Sequence, residues 1–177
     1  MGTEVFGPER LPFVPPSPNL RSPEALLAYP ATVLLEGTNV SEGRGTDAPF
    51  EQFGAPWIDG AALAKALGKS GIDALRFVPV SFTPAASKFA GNTCQGVRLE
   101  RTGLGRYAPL PTALTLLAVL QRLYPRDFAM TPFLDTLLGE SRVRTMLLAG
   151  ESPAAIAGPW SSACDRFRAS VQRWLLY

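Results

Sequence analysis

The sequence predicts an α+β fold: a small mixed sheet built mainly from the first half, covered by helices from the second half. Short apolar or alternating runs punctuated by Gly and Pro fill the first hundred residues, the signature of short strands. Runs with helical periodicity dominate after the "GRYAP" segment. The chain has 177 residues, 46% hydrophobic and 18% charged, which suits one globular domain. At that length the core hides roughly 70% of the surface of the unfolded chain.

Residues 1–23 carry six prolines and read as an extended arm lying over the rest, leaving 24–177 as a single domain. "PEALLA" at 23–28 predicts a short helix, with Ser22 as cap and Pro23 at its first position. "ATVLLE" at 31–36 predicts a buried strand. "DGAALAKALGKSG" predicts a helix capped by Asp59 and ended by Gly71. "LRFVPVSF" at 75–82 alternates as a strand, and Pro79 places it at an edge or a bulge. "QGVRLERTG" at 95–103 predicts another strand, with Val97 and Leu99 on one face and Arg98 and Glu100 on the other.

"PTALTLLAVLQRLYP" is apolar nearly all round and predicts a central helix ending before Pro125. "PFLDTLLGESRVRTMLLAG" predicts two short helices broken near Gly139. The last stretch sets Phe167, Val171 and Trp174 on one helical face, expected to dock on the core. Arg166, Arg168 and Arg173 read as a solvated face.

Composition excludes several functions. The chain contains no His, which removes Ser-His-Asp and Cys-His nucleophiles and HExxH metalloproteases. Cys94 and Cys164 match no metal spacing, so no metal or cofactor is expected, and two packed thiols is the first reading of the pair. A net charge of +2 argues against nucleic acid, and no apolar run has the length of a membrane span. The start shows no signal-peptide pattern.

The chemistry concentrates in "LLEGTNVSEGRGTDAPF", residues 34–50. Glu36 at the mouth of the predicted strand is the candidate catalytic carboxylate; the alternative is that it caps a turn or pairs with Arg44. Thr38, Asn39, Glu42 and Thr46 are candidate substrate-binding groups, and Glu42 is expected in the flexible part of the loop. Arg44, between Gly43 and Gly45, suits bidentate recognition of an anion. The loop is neither a Walker A motif nor a GxGxxG fingerprint. Phe50, Phe53 and Trp57 are either core or sugar-stacking platforms, with core the commoner outcome. Ser81, at the end of the second strand, and Lys88, after it, are further candidate substrate-binding groups, expected to share a cleft with this loop.

The blocks "LPFVPPSPNL", "YPATVLLEGTNVSEGRGTDAPFEQFGAPWID" and "RFVPVSFTPAASKFAGNTCQGVRL", with the closing "LLY", resemble the exo-β-N-acetylmuramidase family. The resemblance implies the C-terminal domain of a two-domain glycoside hydrolase, with Glu36–Asn39 and Gly43–Thr46 facing the cleft. Ser81, Lys88 and Cys94 fall on family-like positions. It also implies a Rossmann-like N-terminal domain that carries the principal catalytic carboxylate, a muropeptide or muramic acid glycoside as substrate, and an extracytoplasmic setting. With that domain absent from the sequence, the chain alone is expected to be inactive. The alternative is a peptidoglycan-binding or partner-docking module without turnover.

Overall fold

The computed structural model describes residues 12–103 and 106–175; residues 1–11 of the predicted arm lie outside the described residues. Its described end turns back, and Leu20 packs with Ala25 and Phe50 in a small apolar cluster.

Helix α1 spans Pro23–Thr32, with Pro23 at its start and the Ser22 hydroxyl accepting from Ala25 N at 2.9 Å. It runs past the predicted end at residue 28, through Pro30. The predicted strand 31–36 does not form. Its first residues finish α1, and Val33–Gly37 make a 3₁₀ turn that buries Leu34 and Leu35. A short apolar run looks the same whether it ends a helix or fills a strand. Packing of α1 against the later helix α3 decides for the helix.

The sheet has three strands: β1 (Gln52–Ala55), β2 (Leu75–Phe82) and β3 (Cys94–Arg101). Their order is β1-β3-β2 and both pairings are antiparallel, so the sheet is not mixed as predicted. β2 is an edge strand, which accommodates Pro79. Val97 and Leu99 are buried while Arg98 and Glu100 are half-buried, as the alternation predicts. Gly96 stands opposite Gly54, and a Cβ on it would meet Phe53 O at 1.9 Å. Only glycine allows β1 and β3 this approach.

Helix α2 (Gly60–Gly68) packs on β2 and β3, with the Asp59 carboxylate accepting from Ala62 N at 3.0 Å. It ends at Gly68; Gly71, at φ +79°, turns the chain after it. Helix α3 (Pro109–Leu123) is the predicted central helix, and it buries Leu114, Leu116, Leu117 and Leu120. Helices α4 (Phe133–Leu138) and α5 (Arg142–Leu148) flank Gly139, which sits at φ +75°. An Arg144–Asp135 fork, at 2.8 and 2.6 Å, ties them together and holds the Asp135 carboxyl below its ordinary range.

Helix α6 (Pro153–Val171) docks by its first turns, where Ile156 is fully buried. Its second half does not dock as predicted: Phe167 is 67% exposed and Trp174, just beyond it, 71% exposed. The two cysteines are free thiols. Cys94 is buried, which pushes its pKa up, whereas Cys164 is exposed and not packed as expected.

Candidate functional site

The segment from the 3₁₀ turn to β1 folds as a closed, ordered loop. Two glycines set its path. Gly43 and Gly45 have φ near +80°, and a Cβ on Gly45 would meet Ala86 N and O at 2.5 and 2.4 Å. The loop therefore lies directly on the segment after β2, and Ala85 N donates to Gly45 O at 2.8 Å.

Its polar side chains largely satisfy its own backbone. The Thr38 hydroxyl donates to Leu35 O and accepts from Val40 N. The Thr46 hydroxyl donates to Gly43 O and accepts from Ala48 N and from the Gln52 amide. Asn39 staples the loop to the segment before α4: its side chain donates to Asp127 O at 2.7 Å and accepts from Ala129 N at 2.8 Å.

The charged groups form one network. Lys88 Nζ donates to Leu35 O at 2.8 Å, Val40 O at 3.0 Å and Glu42 Oε2 at 3.0 Å, with Glu36 O at 3.3 Å. These acceptors commit the three ammonium protons to the loop. Glu42 is 2% exposed, not in a flexible stretch, and its other oxygen forms an ion pair with Arg44 Nε at 3.2 Å. Arg44 Nη2 also binds Glu36, so the guanidinium bridges both carboxylates, and it lies 5.1 Å from the centre of the Phe50 ring. Its Nη1 has no protein partner among the described residues, and Arg44 is 35% exposed.

The structure thus brings Glu36, Glu42, Arg44 and Lys88 together, with Thr38, Asn39 and Thr46 as internal braces. Glu36 emerges from a 3₁₀ turn and not from a strand end. Ser81 stands apart from this network: it is exposed and accepts from the Gln95 amide at 3.0 Å. Phe50 and Phe53 are core residues, at 1% and 0% exposure, and half-buried Trp57 packs edge-on to Tyr124.

Sequence reasoning missed Ser41 and Gln52. Ser41 pairs with Gly54 through two backbone hydrogen bonds, which hold the loop against the sheet. Gln52 lies buried between Thr46 and Arg98. Their signal was faint: a single polar residue beside an aromatic pair does not announce a four-residue strand.

Comparison with known proteins places this chain in a family. The chain matches the family described as Exo-beta-N-acetylmuramidase NamZ, C-terminal, over residues 27–177. A Bacillus subtilis (strain 168) protein described as peptidoglycan beta-N-acetylmuramidase NamZ is 38% identical over 174 residues. That match covers 97% of this chain and 42% of the relative, so the chain spans less than half of the relative's length.

Crystal structures of two DUF1343 family proteins from Bacteroides fragilis NCTC 9343 share the fold. One has a TM-score of 0.69 at 20% identity, covering 93% of this chain and 45% of the other. The second has a TM-score of 0.68 at 29% identity, covering 92% and 43%. By its sequence match and its fold, the chain belongs to the C-terminal domain family of the exo-β-N-acetylmuramidases.

Proposed function

We propose that this chain forms the substrate-cleft part of a peptidoglycan exo-β-N-acetylmuramidase, a glycoside hydrolase whose turnover requires an N-terminal Rossmann-like domain. The observation that carries this reading is the Lys88–Glu42–Arg44 network beside Glu36, built around the buried Glu42 carboxylate. It preorganises a loop that presents an anion, a guanidinium and backbone groups on rigid supports, as sugar recognition demands. Arg44 Nη1 is available for the lactyl carboxylate that distinguishes N-acetylmuramic acid from N-acetylglucosamine. Glu36, engaged by Arg44, suits acceptance of a sugar hydroxyl. Lys88 and Glu42 act through the loop as positioning residues, braced by Thr38, Asn39 and Thr46. Ser81, which stands apart from this network, is given no part in the binding.

The test is calorimetric titration with a muramic acid glycoside and its N-acetylglucosamine counterpart. Arg44→Ala should weaken the muramic acid ligand by about 1.5–3 kcal/mol and barely change the other. Equal losses for both sugars would mean that Arg44 only holds the loop. In hydrolysis assays the chain alone should release no muramic acid. Efficient turnover by the purified chain, abolished by Glu36→Gln, would overturn the division of labour.

A second reading, a binding module without turnover, draws on the ion pairing of both carboxylates, since a glycosidase pair needs one proton donor. Binding that persists with no hydrolysis after an N-terminal domain is supplied would select it.

A further inference from the structure

A chamber lies away from the loop, between the first half of α1 and the end of the sheet where β2 begins and β3 finishes. Its volume is about 290 Å³, close to the lower bound for pockets that hold small organic ligands. Leu27, Leu75 and Leu99 give it an apolar body. Two polar side chains in its wall are unsatisfied among the described residues: Arg98 Nε and the Tyr107 hydroxyl are buried there without a hydrogen-bond partner. Both are donors, and a buried donor left unmade costs about 1–3 kcal/mol. Among the described residues Arg98 is otherwise held by a 3.3 Å bond from Nη2 to Gln52.

The same wall carries carboxylates. Glu51 accepts from the Ser22 hydroxyl, and Glu100 is taken by Arg76. Glu24, in the first turn of α1, has no ion-pair partner among the described residues. One chamber therefore offers buried donors that lack an acceptor and, separately, carboxylates able to meet a cation.

We propose that this chamber binds a small zwitterion of the amino acid or dipeptide class. Its carboxylate accepts from Arg98 Nε and the Tyr107 hydroxyl, its ammonium faces Glu24 and Glu51, and its side chain lies on Leu27, Leu75 and Leu99. The size excludes an oligosaccharide, and a wall that carries Arg98 and Arg101 beside Glu24, Glu51 and Glu100 suits a ligand with both charges better than a simple anion.

The test is an NMR titration of the whole chain with the dipeptide alanyl-leucine, beside its N-acetylated and C-amidated forms. Saturable shifts are expected at residues of α1 and of the β2–β3 end. Each blocked form should bind at least about tenfold more weakly, the worth of a charged hydrogen bond. Tyr107→Phe removes only the hydroxyl and Arg98→Lys only the guanidinium geometry; each should lower affinity about five- to tenfold. If Arg98→Lys does not fold, Tyr107→Phe carries the comparison alone. The absence of saturable binding would mean that the chamber holds solvent only, and would overturn the proposal. Equal affinity for the blocked forms, or for Tyr107→Phe, would overturn it as well.

Discussion

At the residue scale, Lys88 and Glu42 matter most. Removing one member of a buried, hydrogen-bonded pair leaves the other charge without compensation and costs about 3–5 kcal/mol. Lys88 is partly exposed, so Lys88→Met should fall near the lower end, about 3 kcal/mol, in urea denaturation. Glu36→Gln, at a more solvated pair, should cost below about 1 kcal/mol. Near-equal losses would show that the buried pair does not dominate the loop. Tyr107 gives a pH signature. Burial raises its pKa from 10.0 to about 12, with Arg101 opposing. The protonated phenol is thus favoured in the folded state. Its contribution is complete below pH 10 and is lost as the pH rises toward 12. The stability of the wild type should fall more steeply over that window than that of Tyr107→Phe, as measured by chemical denaturation at stepped pH.

At the element scale, α6 divides into two halves with different jobs. Ile156 in the docked half is fully buried, and Ile156→Ala should cost about 2–5 kcal/mol. Phe167→Ser in the undocked half should change stability by less than about 0.5 kcal/mol. A large loss for Phe167→Ser in thermal unfolding would mean that this half is folded against the body in solution. The helical spacing of Phe167, Val171 and Trp174 was legible, but periodicity gives a face and not the surface it meets. The elements read correctly carry strong local signals, such as the Asp59 cap, the alternation of β2 and the break at Gly139. The failures lack such a signal. All four residues of β1 are buried, so no alternation marks it, and its place depends on Gly96 opposite Gly54. The 31–36 run is too short to show a period, and packing of α1 on α3 selects the helical form over a strand.

At the scale of the whole molecule, the exposed apolar side chains Phe167, Trp174 and Leu175 lie along one end of the chain. Sedimentation velocity at rising concentration should show self-association that Phe167→Ser with Trp174→Ser reduces; an unchanged profile would place the contact elsewhere. The candidate site was half legible. The "EGTN" and "GRGT" blocks announced polar groups on a tight path, and the pairing of Glu36 with Arg44 was one of the readings they allowed. The inward role of Lys88 was not legible, because its partners lie 46–53 positions earlier in the chain. That separation has a consequence. Loops wound around a free metal ion open when a chelator removes the ion; here the cation is an ammonium on a covalent tether, which no chelator can strip. Lys88 lies beyond α2 and β2, so the carbonyls of Leu35 and Val40 precede by 53 and 48 positions the ammonium that joins them.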